Sequence, residues 1–117
     1  MIEIKFYKTL SGKSPIEDFL ENLQPKEAAK ITWVLRLIAD LDRVPIEYFK
    51  KLESTEEIWE VRAKLGSNAF RLLGFWDGNR FVVLTNGFKK KTKKTPKTEI
   101  KLAESPRIEY LTRKQNE

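Results

Sequence analysis

Six lysines between Phe88 and Thr98, namely Lys89, Lys90, Lys91, Lys93, Lys94 and Lys97, follow one another with no acidic residue among them. Removing them from the 23 lysines and arginines of the chain leaves 17, equal to its 17 aspartates and glutamates. The net charge of +6 is therefore gathered in one segment. Charge concentrated in this way raises the local potential and asks for a polyanion. Phe88 stands directly before the run. Ammonium groups beside an aromatic ring follow the phosphate-plus-stacking logic of single-stranded nucleic acid binding. The competing reading is a solvated basic loop that serves solubility.

Two arginines bear on that choice. A hairpin turning at Gly66-Ser67-Asn68 puts Arg62 opposite or diagonal to Arg71 on one face of a sheet, with Lys64 on the face of Arg62. Two guanidiniums so placed repel each other unless an anion lies between them. A phosphate would meet that need, and so would a carboxylate such as Glu60. Arginines on strands beside lysines on a loop suit a planar, bidentate grip on phosphate with point charges around it.

Other chemistries have fewer materials. The chain has no histidine, the commonest general base, and no cysteine, so there is no thiolate nucleophile and no disulfide framework. Asp18, Asp40, Asp42 and Asp77 show no metal-ligand spacing, and Asp77 reads as a turn residue. No glycine-rich phosphate loop and no nucleophile elbow is present. Neither a metal nor a cofactor is expected.

The elements that must carry these residues follow from periodicity. The 117 residues, 40% apolar and 34% charged, suit one folded domain. Ile2, Ile4 and Phe6 alternate with polar neighbours as in a half-buried strand. Ser14, Pro15 and Glu17 form a helix start, and Ile16, Phe19, Leu20 and Leu23 give that helix an apolar stripe. Pro25 opens a second helix with Ile31, Val34, Leu35, Ile38 and Leu41 on one face, widened by Trp33 and Leu37. So short a link makes the two an antiparallel helical hairpin. The segment from Asp42 to Glu57 reads as an irregular crossing tethered by Tyr48, Phe49 and Leu52. Three strands follow over 58–65, 69–76 and 80–88, turning at Gly66-Ser67-Asn68 and Asp77-Gly78, with a bulge or bend at Asn86-Gly87. Trp33, Trp59 and Trp76 read as core. Thr95 caps a last helix with Pro96 at its first position. Pro106 predicts a break near Ser105 and a second short helix carrying Ile108 and Leu111. The fold class is α+β: an antiparallel sheet, an N-terminal helical hairpin on one face and a short C-terminal helix. No stretch has the length of a signal peptide's apolar region or a membrane span, which makes a cytoplasmic location the default expectation and a membrane partner an unexpected one.

The motifs W-E-V-R at Trp59–Arg62, F-R-L at Phe70–Leu72 and above all N-G-F-x-K-K-x-x-K-T-P at Asn86–Pro96 resemble the HigB branch of the RelE/ParE toxin superfamily, phage-derived relatives included. The resemblance covers nearly the whole chain. It implies a small RelE-like domain and a bacterial type II toxin that cleaves messenger RNA on the ribosome. It further implies neutralisation by a helix-turn-helix, HigA-like antitoxin, with the toxin either a monomer or part of a toxin–antitoxin hetero-oligomer. The basic catalytic surface of the family maps onto Arg62, Arg71, Lys90, Lys91 and Lys94, with Lys64, Phe88, Lys89, Lys93 and Lys97 as RNA-binding positions. Some members use histidine or a C-terminal tyrosine; this chain has no histidine, and Tyr110 is not at a matching position.

RNA brings its own nucleophile, the 2′-hydroxyl. A lysine crowded by cations has a lowered pKa and approaches the role of proton carrier, while an arginine stays charged and stabilises the pentacoordinate phosphorus. Arg71 is then expected to meet transition-state charge, Arg62 to position the phosphate, and one of Lys90, Lys91 or Lys94 to move the proton. Two other readings stay open: a ParE-like toxin that inhibits DNA gyrase without cutting RNA, and a plain basic nucleic-acid-binding domain.

Overall fold

Alternation at the N-terminus builds an edge strand, and two proline-started helices then cross the sheet before the remaining strands form. The computed structural model describes residues 2–116. Strand β1 is Glu3–Phe6, helix α1 is Pro15–Glu21 and helix α2 is Pro25–Asp40. Ser14 caps α1 through its Oγ, which accepts from the Glu17 amide at 3.2 Å. At the start of α2 the Glu27 carboxylate accepts from the Gln24 amide at 3.1 Å. Both devices satisfy backbone groups that a helix end leaves unpaired.

Strands β2 (Phe49–Lys51), β3 (Trp59–Leu65), β4 (Asn68–Asp77) and β5 (Phe81–Lys89) complete a five-stranded sheet in the order β1-β5-β4-β3-β2. All neighbours are antiparallel except β1, which lies parallel to β5. The helical hairpin covers one face: Ile16, Ile31, Val34 and Ile38 bury against Val61, Phe70, Leu72, Val82 and Leu84. Helix α3 (Lys97–Gln115) crosses the other face, over Ile58 and Leu73 near its start and Phe75 and Val83 near its end. With both faces covered, the central strands are apolar on both sides, as Leu72–Leu73 and Val82–Val83 show. Among the described residues no helix is long and apolar enough to cross a membrane.

Several expectations need correction. Residues 49–51 form an edge strand instead of an irregular crossing, with Phe49 buried beneath Trp59 at a ring separation of 4.9 Å. Helix α3 does not break near Ser105; its 19 residues run through Pro106. Ala103 before the proline and Tyr110 and Leu111 after it are all packed on the sheet, so contacts on both sides offset the lost backbone bond. Thr95 is not the cap of that helix, because Pro96 occupies the N-cap position. Ile108 faces outward. The bulge falls one residue earlier than expected: Leu73 pairs with Asn86 and Gly74 with Leu84, which leaves Thr85 as the extra residue. Trp33 is 46% exposed, because Ile31, Val34, Leu35 and Ile38 already fill the side of α2 that meets the sheet. Trp59 and Trp76 do pack against the main core.

Candidate nucleic-acid interface

The β3–β4 hairpin pairs Arg62 directly with Arg71. Two residues before Arg62, and so on the same face of β3, stands Glu60, which is buried. Its Oε1 lies 3.6 Å from Arg62 Nε and 3.4 Å from Arg71 Nε. Its Oε2 accepts a 2.5 Å hydrogen bond from the Thr95 hydroxyl. One carboxylate therefore stands between two guanidiniums and ties them to the loop that follows β5. Of the two ways to relieve the arginine pair, the folded chain uses its own carboxylate.

The two arginines are not equivalent. Arg71 is 6% exposed, while the Arg62 side chain is 32% exposed. Arg71 Nη1 donates to the Phe70 carbonyl at 3.0 Å, and its buried Nε makes no hydrogen bond among the described residues. Burial pushes the Arg71 guanidinium below its ordinary range, Arg62 adds to that, and Glu60 opposes it. An arginine remains charged throughout.

The lysine run is anchored at its start. The Lys90 amide donates to the Ala69 carbonyl at 2.7 Å, which carries the β4–β5 ladder one residue past the strand. Lys90 thereby comes to rest half-buried beside the arginine pair. Its ammonium is held below the usual lysine value first by burial, then by Arg71, with Arg62 acting in the same direction and Glu60 against it. Lys89, Lys91, Lys93, Lys94 and Lys97 are exposed. Lys90, Lys93, Lys94 and Lys97 line an open cavity of about 800 Å³ together with Glu60, Arg62 and Lys50 of β2. A second cavity of about 370 Å³ lies on the other side of Arg62, where Lys64 and Arg71 meet Lys30 and Tyr48. Lys89 and Lys91 line neither of the two.

Phe88 departs from its expected place as an open stacking ring. It is half-buried and packs against Ile58, Leu73 and Ala103 under the start of α3. Glu60 and Lys50 are the members of this cluster that the sequence did not offer as candidate site residues. Glu60 was legible only as a possible ion-pair partner, and Lys50 lay in the unread edge strand. Tyr110 is about 20 Å along α3 from Lys97. Its hydroxyl donates to Asp77 Oδ2 at 2.7 Å, and its ring meets Phe75 edge-on. Asp77, which reads as a turn residue, is buried there. Its carboxyl is held below the usual range first by its bond from Lys114, against the effect of burial, with Tyr110 assisting. Among the described residues no three His, Cys, Asp or Glu side chains gather as metal ligands do.

A family model described as phage-derived protein Gp49-like matches residues 18–107. The chain belongs to that family. The Gp49-like match begins inside α1 and ends inside α3, so it contains β2 to β5, the Glu60–arginine cluster and the whole lysine run. It agrees with the phage-derived relatives that the motifs resemble. No curated protein matches the chain.

Proposed function

We propose that this Gp49-like protein is the toxin of a type II toxin–antitoxin pair and that it cleaves messenger RNA on the ribosome. The observation that carries the reading is the convergence of Lys90, Arg62 and Arg71 on Glu60 at the wall of a lysine-lined cavity. A strand of RNA drawn to Lys93, Lys94 and Lys97 meets Arg62 first, since Arg62 is the more exposed arginine. Arg62 then takes the scissile phosphate. Arg71, behind Glu60, supplies positive charge at short range without leaving the sheet.

In the reaction the RNA 2′-oxygen bonds to the adjacent phosphorus and gives its proton to the neutral amine of Lys90. The bond from phosphorus to the 5′-oxygen breaks, and that oxygen takes a proton from a neighbouring ammonium such as Lys94. The products are a 2′,3′-cyclic phosphate and a 5′-hydroxyl, with no metal in any step. A lysine whose pKa is lowered holds more of the neutral form at physiological pH, which favours Lys90 over the exposed Lys91 and Lys94 as the base. One well-placed charge contact at phosphorus contributes roughly 10²–10³ in rate.

Purified ribosomes carrying a defined messenger, treated with wild type and with Lys90→Met, test this. Wild type is expected to cut and to leave 2′,3′-cyclic ends, the variant to cut at least about 100-fold more slowly. A cognate helix-turn-helix antitoxin is expected to suppress the cutting. An intact messenger with wild type overturns the nuclease reading. Inhibition of DNA gyrase in the same preparation would replace it with the ParE-like one.

A further inference from the structure

The edge of the sheet is incomplete where Arg62 sits. Strand β2 pairs only with residues 59–61 of β3, and the last contact between the segments is the Arg62 amide donating to the Tyr48 carbonyl at 2.8 Å. Beyond it, among the described residues, residues 63–65 of β3 pair with no strand on that side. The 370 Å³ cavity opens at this gap, so cations from one face of the sheet, Arg62 and Lys64, meet groups carried by α2 and the segment before β2. Its lining has four cations, Lys30, Arg62, Lys64 and Arg71, and one carboxylate, Glu47.

Beside this cavity stands an aromatic pair, Tyr48, partly buried against the main core, and the exposed Trp33. Tyr48 lines the cavity, and its ring meets Trp33 at 6.0 Å with planes 79° apart. Trp33 is nearly half exposed, although a tryptophan usually ranks among the more buried side chains. Lys30, itself part of the cavity wall, holds its ammonium 4.3 Å over the Trp33 ring. A cation over an exposed ring is weakly held, whereas a base stacked on an aromatic side chain is held more strongly. A nucleobase can therefore take the ring face and release Lys30 to the backbone phosphate that arrives with it.

We infer that Trp33, braced edge-on by Tyr48, forms a base-stacking platform for the nucleotide next to the phosphate held at Arg62. The inference rests on the RNA reading above and adds to it a second element of substrate recognition, one that grips a base instead of a phosphate. The RNA passes from the lysine-lined cavity, over Arg62, to the gap at the β3 edge. Because every base has a π face, the platform adds affinity with little sequence preference.

End-labelled, fully 2′-O-methylated RNA cannot be cut and reports binding alone by fluorescence anisotropy. Wild type, Trp33→Ala, Trp33→Leu and Trp33→Phe are titrated with it and with an abasic oligomer of the same length. Loss of a stacked base is expected to weaken binding of the base-bearing RNA roughly 10-fold in Trp33→Ala and Trp33→Leu, with Trp33→Phe near wild type. The abasic oligomer is expected to bind all four proteins alike. The slope of affinity against salt is expected to stay unchanged, because no phosphate contact is lost. Equal affinity of wild type and both aliphatic variants for the base-bearing RNA overturns the platform while leaving the RNA reading intact. An equal loss for both oligomers overturns it as well, by showing a structural effect. Failure of wild type to bind either oligomer removes the RNA reading and the platform with it.

Discussion

The hydroxyl of Thr95 donates to the carboxylate of Glu60 at 2.5 Å, across 35 residues of chain. This one bond joins the end of the lysine loop to the middle of the arginine pair. It sets the loop's cations against a fixed wall of the sheet, where a free basic loop would leave them dispersed in water.

Thr95→Val removes the donor and keeps the shape. A hydrogen bond to a charged group contributes about 1.5–3 kcal/mol, and the loss should appear at that size in urea denaturation. Amide exchange over residues 90–95 should quicken. Unchanged stability together with unchanged exchange would show that the loop is held by other means.

Glu60→Gln keeps the volume and removes the charge between Arg62 and Arg71. Breaking a buried pair costs about 3–5 kcal/mol, and the lower end applies because Arg71 Nε faces Glu60 at 3.4 Å without a hydrogen bond. A loss of about 3 kcal/mol is a large share of a typical total of 5–15 kcal/mol. Denaturant midpoints measure it, and a variant as stable as wild type contradicts the role given to Glu60.

Lys90 carries a sign that can be checked in pH. Its folded pKa lies below the ordinary value of 10.5, so its buried charge costs stability at neutral pH. The cost fades as pH rises through the folded value and is gone above 10.5, because in that window the unfolded chain binds more protons. Lys90→Met should therefore be more stable than wild type at pH 7, with the gap closing toward high pH. Cleavage by wild type should rise with pH and level off below the usual lysine range. In Glu60→Gln the plateau should come at lower pH still, since Glu60 is the group that holds the Lys90 pKa up. A pH–rate profile with no such inflection removes Lys90 as the base.

Pro106 lacks the amide proton that would bond the carbonyl of residue 102, yet α3 continues through it. Pro106→Ala restores a helical bond and should raise stability by about 1–3 kcal/mol, with a higher thermal midpoint. A lower midpoint would show that the ring of Pro106 contributes packing that outweighs the bond.

Local rules, which act over a few residues, made much of this molecule legible in advance. Period-two alternation and the turn at residues 66–68 were enough to set Arg62 against Arg71, and the structure pairs them directly. Stripes at helical spacing and two early prolines were enough for the helical hairpin. The balance of charge outside the lysine run needed only counting. The same local rules also misled. A mid-helix proline reads as a break, and packing at Ala103, Tyr110 and Leu111 keeps α3 whole. A wide apolar stripe reads as buried, and only the finite width of the sheet leaves Trp33 in the open.

From its sequence alone the chain determines where its positive charge lies, which residues alternate into strands, and that two arginines face each other. Tertiary structure alone decides that Glu60 stands between them, that Thr95 closes the loop onto it, and that Lys90 comes to lie where burial and the neighbouring arginines act on its ammonium. The physical reason is distance along the chain. Alternation and capping are settled among neighbours, whereas a carboxylate reached from 35 residues away, or an ammonium dried by a strand it follows, exists only once the sheet has closed.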